Sequence, residues 1–383
     1  MSEAEQPPDL EPSDLEPSSG AGEAKERQFP CGQCGASLTF APGVSQMECT
    51  YCGHSTEIEV VGEVVELDYH AMLASLEEQA AGEDHSEVRC DGCGAVLDRP
   101  PELDAFDCVY CGQAIVATAT SRRRIRPDSV LPFKVVQKEA QEAFRKWVSS
   151  RWFAPSALKK RARAAGKMKG VYQPYWTYDC SSTTQYRGER GEHYWETVTV
   201  TRQVDGKTVT DTEQVQRTRW YPASGWVHLG HDDVLVPAAS SLPSKLQERL
   251  EPWDLHALVP YSDDYLAGFV TEGYQMELDE GFDDAKGRMQ PRIDQAINRD
   301  IGGDEQRIHS KSSSYDEITF KHVLLPLWIS SYRYADRSYR FLINARTGEV
   351  AGERPWSVWK IVGTILLVVA VIAGAVFAAQ ALR

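Results

Sequence analysis

Cys31-Gly-Gln-Cys34, fourteen residues, then Cys49-Thr-Tyr-Cys52-Gly53 is repeated downstream as Cys90-Asp-Gly-Cys93, fourteen residues, then Cys108-Val-Tyr-Cys111-Gly112. Cys-Gly-Ala-x-Leu follows each first pair, and Cys-x-Tyr-Cys-Gly closes each copy. Eight of the nine cysteines of the chain fall in this stretch. A thiolate is a soft ligand, and four at this spacing suit tetrahedral zinc. Two residues between cysteines let one tight turn aim both sulfurs at one ion. A fourteen-residue gap accommodates a β-hairpin that returns the chain to the metal. The pattern predicts two structural zinc ions, one held by Cys31, Cys34, Cys49 and Cys52, the other by Cys90, Cys93, Cys108 and Cys111.

Two other readings of the cysteines are weaker. A disulfide framework needs an oxidising compartment, and no export signal precedes the cysteines. A redox Cys-x-x-Cys does not require a second pair at fixed distance. Four protein ligands leave no coordination position for water or substrate, so these zinc ions are expected to be structural. The pattern resembles TFIIB-type zinc ribbons, and the Cys-x-Tyr-Cys-Gly closure resembles the zinc-binding part of the primosomal helicase. No phosphate-cradling Gly-x-x-x-x-Gly-Lys-Ser/Thr accompanies it, since Gly166-Lys167 is followed by Met168. A helicase motor has no basis here.

Outward from the ribbons, residues 1–28 are rich in Glu, Asp, Pro and Ser and read as a disordered acidic tail. Val64 to Ala81 predicts a short linker helix with Leu67, Met72, Leu73 and Leu76 on one stripe. Arg122 to Lys169 holds fifteen Lys or Arg against three acidic residues, in a chain of formal net charge −15. Lys134 to Arg151 predicts a helix with Val136, Ala140, Phe144, Trp147 and Val148 on one face. Three readings compete for the basic block. Arg122, Arg123, Arg124, Arg126, Lys159, Lys160, Arg161 and Arg163 are candidates to contact nucleic-acid phosphates or anionic lipid headgroups. Alternatively the block pairs with the acidic remainder of the chain. The first ribbon, without Lys or Arg over residues 31–54, counts against nucleic acid.

From Gly170 the pattern turns to β. Val171 to Tyr178 is rich in aromatic and β-branched residues, and Pro174 suggests an edge or bulge position. Thr197 to Val204 and Lys207 to Val215 predict a hairpin around Asp205-Gly206. Shorter strands are expected over Trp220 to Val236, helix over Leu242 to Leu250, and one or two helices over Gly273 to Ile301. Val323 to Ser330 parallels Val171 to Tyr178 and suggests a second, looser repeat within one sheet. His193 and the run His231-Asp232-Asp233 could enter a metal or acid–base site, but isolated groups of this kind are mostly solvated, and no nucleophile motif is present. Cys180 reads as a small buried hydrophobe.

Ile361 to Ala379 is an uncharged run of about 28 Å as a helix, close to the hydrocarbon thickness of a bilayer. Trp356 and Trp359 stand at its start, and the basic residues lie mainly on its N-terminal side. This predicts a single-pass inner-membrane protein with its N-terminal bulk in the cytoplasm. The expected architecture is multidomain. It comprises two tandem small β zinc ribbons (29–60 and 88–118) around a linker helix (61–87), then a basic helical segment (119–169). A β-rich α+β cytoplasmic domain (170–355) and one C-terminal transmembrane helix (358–381) complete it.

Leu131-Pro-Phe-Lys134, Lys169-Gly-Val-Tyr-Gln-Pro-Tyr-Trp176, His322-Val-Leu-Leu-Pro-Leu-Trp328, Asn344-Ala-Arg-Thr-Gly348 and Gly352-Glu-Arg-Pro355 extend the resemblance to most of the chain. Together they resemble a family of bacterial membrane-anchored TFIIB-type zinc ribbon-containing proteins. The resemblance implies no catalytic residues and a protein-recruiting role in envelope-stress signalling. The expected function is therefore a non-enzymatic, membrane-tethered adaptor contacting the lipid bilayer and a cytoplasmic or membrane protein partner. The alternative is a nucleic-acid-binding ribbon protein held at the membrane.

Overall fold

The computed structural model describes residues 29–78, 82–98, 105–116, 120–152, 168–204, 207–334, 337–353 and 358–381. The acidic tail expected over 1–28 lies outside them. The first ribbon is a three-stranded antiparallel sheet of β1 (Leu38–Ala41), β2 (Gln46–Cys49) and β3 (Ser55–Glu57). After β4 (Leu67–Asp68) comes helix α1 (Tyr69–Glu77), where Asp68 caps the Ala71 amide at 2.7 Å. Met72, Leu73 and Leu76 pack on the core from α1, whereas Leu67, expected on the same helical stripe, packs there from β4. The second ribbon contains β5 (Glu83–Arg89), β6 (Val96–Asp98), β7 (Ala105–Asp107) and β8 (Ala114–Val116). β9 (Thr120–Arg124) pairs antiparallel with β5.

β10 (Ser129–Val130) leads to α2 (Gln137–Ser150). Ala140, Phe144 and Val148 of α2 are buried, and Phe144 stacks on Phe341 with ring centroids 3.6 Å apart. Val136, expected on the same face, is instead the exposed residue preceding the helix.

The rest is dominated by three very long antiparallel strands: β11 (Lys169–Val204), β12 (Lys207–Pro237) and β15 (Glu305–Tyr334). β11 lies between the other two, and β10 and β13 (Val259–Pro260) extend the sheet beyond β15. β14 (Val270–Thr271) adds to β11, and β16 (Arg337–Asn344) and β17 (Val350–Gly352) follow on β15. The two proline-bearing segments pair with each other, Tyr172 opposite Pro326 and Pro174 opposite Leu324.

Pro174 is thus in the middle strand, not at an edge. β12 ends at Pro237, opposite Tyr175, and the Pro174 carbonyl accepts from the Ala238 amide at 3.0 Å. The side of Pro174 that lacks an N–H therefore faces the place where β12 has run out, so no ladder bond is lost. Pro326 repeats the arrangement: its carbonyl accepts from Ala345 at 3.1 Å, one residue past the end of β16.

A short helix, α3 (Ser244–Gln247), precedes α4 (Leu278–Ile301). Leu278, Phe282, Ala285, Met289, Ile293, Ile297 and Ile301 fall at helical spacing and are buried against Trp176, Tyr178, Cys180 and Tyr186 of β11. Cys180 is buried with its sulfur 3.8 Å from that of Met289, as expected of a small hydrophobe. Gly281 lets α4 approach the sheet, because a Cβ there would meet the Tyr178 hydroxyl and the Trp176 ring. Gly281→Ala raises helix propensity by about 1 kcal/mol. It is nonetheless expected to destabilise the protein by about 1–3 kcal/mol through overpacking, measured by denaturant unfolding.

The last helix, α5, runs Val358–Ala381. Here the structure corrects the sequence reading. Among the described residues no helix is long and apolar enough to cross a membrane. The transmembrane element of the expected fold class is withdrawn, and with it the single-pass membrane location.

Candidate metal centres

Four near-identical turns build the two cysteine clusters. In each, the amide of the glycine after the second cysteine donates to the carbonyl of the first cysteine. The bonds are Gly35 to Cys31, Gly53 to Cys49, Gly94 to Cys90 and Gly112 to Cys108, at 2.8–2.9 Å. These four glycines have φ between 73° and 77°, a left-handed conformation that strains any residue with a Cβ. The first cysteine of each turn donates its own amide to a residue beyond the glycine, for example Cys31 to Ala36 at 2.7 Å and Cys90 to Ala95 at 2.8 Å.

The turns face each other in pairs. Cys31 and Cys52 sulfurs lie 3.6 Å apart, and Cys34 and Cys49 sulfurs 3.5 Å. In the second cluster Cys90–Cys111 and Cys93–Cys108 are both 3.6 Å. Within each cluster the ligand atoms all lie within 4.8 Å of one another. Tetrahedral zinc with sulfurs at about 2.3 Å requires about 3.8 Å between them, so the residues fit such an ion. Both four-cysteine clusters can hold a metal ion. Backbone amides of Cys52 and Tyr51 aimed at the Cys49 sulfur push that thiol down to about 6.

The clusters differ in their surroundings. In the first, Cys31 and Cys49 are buried but Cys34 and Cys52 are exposed, and Tyr51 between Cys49 and Cys52 is 83 % exposed. Its other side is anchored. Leu38, Phe40 and Met47 are buried, and the Phe40 amide donates to Ala267 at 2.9 Å. In the second, Val109 and Tyr110 occupy the turn between Cys108 and Cys111 and point into the core beside Leu246, Leu250 and Leu327. The Tyr110 hydroxyl donates to the fully buried Glu272 carboxylate, which also accepts from Ser241. The sequence motif makes Tyr51 and Tyr110 equivalent, whereas the fold makes one a surface residue and the other a core residue.

Comparison with known proteins adds a relative over most of the length. The chain is 27 % identical over 341 residues to the uncharacterized protein YdjG of Bacillus subtilis (strain 168), covering 87 % of this chain and 91 % of that protein. No family model matches. No solved structure matches.

The basic candidates scatter. Arg124 is buried: it pairs with Glu87 of β5 and donates to the Tyr274 carbonyl. It is therefore not a contact for phosphate or lipid, and the reason is a carboxylate 37 positions away on the paired strand β5, four residues along from Glu83, the register partner of Arg124. Arg126 stays half-exposed, 3.7 Å from Glu83. Arg122 and Arg123 lie in β9, opposite His85 and Asp84. Lys159, Lys160, Arg161 and Arg163 lie outside the described residues.

His193 is partnered by Glu305 at 2.8 Å and Gln216 at 2.7 Å. His231 is buried against the Ser182 hydroxyl at 2.8 Å. Asp179, Asp232 and Asp233 cluster closely, a grouping that sequence reading missed because Asp179 belongs to the neighbouring strand. Their counter-charge is the Lys321 ammonium, 3.0 Å from Glu66, 3.4 Å from Asp179 and 2.9 Å from Asp233.

Asp128 ties the ribbon-side chain to β15, accepting from the His322 amide at 3.0 Å. Burial raises its carboxyl to about 6, against the opposing pull of that amide and of Arg126. A carboxyl raised on folding takes up a proton in the native state before the unfolded one. Its contribution to stability is therefore full below its unfolded value near 4 and is lost as pH rises through about 6. The native protein is expected to gain stability relative to Asp128→Asn as pH falls from 7 to 5. Parallel chemical denaturation of both proteins checks this.

Proposed function

We propose that the protein is a non-enzymatic zinc-ribbon adaptor. Two structural zinc ions, each held by four thiolates, fix the ribbons on the β-rich body, and the first ribbon offers its metal end to a protein partner. The observation that carries this reading is the asymmetry between two otherwise equivalent ribbons. One has Tyr51 and Cys52 of its closing turn, and Cys34 of its opening turn, exposed to solvent; in the other, Cys108, Val109 and Tyr110 of the closing turn are buried. A site filled by four sulfurs keeps no open position for water or substrate, which supports a structural role. An exposed tyrosine on a metal-braced turn supports partner contact, because such side chains offer rigid amphipathic area at low entropic cost.

Tyr51→Arg tests the reading without touching a metal ligand. The purified variant is expected to keep two zinc ions per chain and the native melting temperature. It is also expected to lose the specific partner that the unaltered protein recovers from its host, as is the Cys31→Ser, Cys34→Ser variant. Recovery of the same partner by Tyr51→Arg would contradict the proposal.

A further inference from the structure

Among the described residues, β11 has a strand on one side only beyond Gly191. β15 starts at Glu305, opposite Gly191, whereas β12 accompanies β11 to its end at Val204. Among the described residues, Glu192 to Val204 and its partner strand form a two-stranded arm extending past the three-stranded sheet. At about 3.3 Å per residue the arm reaches roughly 40 Å. Two-stranded ribbons are marginal alone in water, and a long open edge is a template for pairing.

The direction of the free backbone groups is fixed at the base of the arm. The Gly191 carbonyl accepts from the Asp304 amide at 2.8 Å, and the His193 amide donates to the Asp304 carboxylate at 2.7 Å. Odd-numbered residues therefore aim N–H and C=O at this edge. Register with β12 is unbroken from Cys180 to Val204, so the alternation continues through Trp195, Thr197, Thr199, Thr201 and Gln203.

We propose that this edge pairs antiparallel with the same edge of a second copy of the chain, about a two-fold axis at Thr199. Thr199 then exchanges two backbone hydrogen bonds with its counterpart, as a residue on such an axis can. Thr197 faces Thr201 of the second copy, and Trp195 faces Gln203. Val198 faces Val200 and Glu196 faces Arg202, in the closer, non-hydrogen-bonded positions where side-chain pairs interact most strongly.

Charge complementarity selects this register. Moving the axis one residue either way sets Glu196 opposite Val200 or Val204 and loses both symmetry-related ion pairs. Within the chain, Glu196 already pairs with Arg217 at 2.7 Å and Arg202 with Glu213 at 3.5 Å, both across to β12. The dimer extends these into a row of alternating sign over four strands: Arg217, Glu196, then Arg202 and Glu213 of the second copy.

Sedimentation of the full chain is the test, with Thr199→Cys as an independent probe. The unaltered protein is expected to be dimeric. Glu196→Arg alone and Arg202→Glu alone should each weaken the dimer at least about tenfold, since each creates two like-charge contacts. Mixing the two variants should restore a heterodimer, because each supplies the charge that the other has reversed. Thr199→Cys should form a disulfide-linked dimer in a glutathione buffer. Val198→Cys should not, because its counterpart lies two positions out of register, beyond disulfide reach. A monomer at all concentrations, a dimer indifferent to either charge reversal, no recovery on mixing, or no Thr199→Cys crosslink would each overturn the proposal.

Discussion

Serine at Cys108 is expected to lower the metal content from two zinc ions to one per chain and to unfold far more than the second ribbon. A four-thiolate zinc contributes on the order of 10 kcal/mol to the folding of its module, comparable with the whole stability of a typical domain. The loss cannot stay local, because the second ribbon shares its core with the body. Val88, Ala95, Leu97, Val109 and Tyr110 pack with Val171, Leu246, Leu327 and Leu342. The ribbon also continues its hydrogen bonding into the body, with Gly273 donating to Val96 at 3.0 Å and Leu97 bridged to Glu272. Hydrogen exchange should therefore lose protection over 83–98 and 105–116 and also at Val171 and Leu327. Cys52→Ser should remove one zinc as well, but with smaller loss of protection in the body, because its turn faces solvent. Equal global unfolding by the two variants would contradict the asymmetry on which the functional proposal rests.

The second large effect is expected at Arg124. Its side chain is 4 % exposed, and that of its partner Glu87 is 6 % exposed. Removing the guanidinium leaves a buried carboxylate without its counter-charge and frees the Tyr274 carbonyl. Arg124→Ala is expected to cost about 3–5 kcal/mol, a large part of the stability of the protein. The Arg124→Met, Glu87→Leu double variant should recover much of this, because an apolar pair of similar volume avoids the desolvation of two ions. Equilibrium unfolding of the three proteins decides the matter. A loss under about 1 kcal/mol for Arg124→Ala would show that water reaches the pair.

Both ribbons were legible in the sequence because metal ligation fixes residue type and spacing together. The turns at Gly35, Gly53, Gly94 and Gly112 follow from that motif. The helix Leu278–Ile301 was legible from its buried stripe. The long strands were not. Gly188, Gly191 and Gly225 break the hydrophobic pattern, so the chain reads as several short strands. In the fold these glycines permit close approach. A Cβ at Gly188 would meet the Arg307 carbonyl, and at Gly191 the side chains of Thr218 and Trp220.

Burial of Arg124 was equally invisible, since a run of basic residues predicts a solvated face unless the distant Glu87 is known to lie beside it. The contrast between Tyr51 and Tyr110 is also tertiary, because two identical local motifs meet different neighbours. The C-terminal helix forms where apolar composition predicts it, but the membrane span drawn from that composition is not supported.

Metal analysis of the purified full-length chain, prepared under reducing conditions without added metal, is the most direct measurement of the central claim. Elemental analysis should find two zinc ions per chain, with thiol titration showing one reactive cysteine, Cys180, only after denaturation and the remaining eight only after chelation. Fewer than about one zinc per chain, or the eight cysteines found as disulfides, would contradict it.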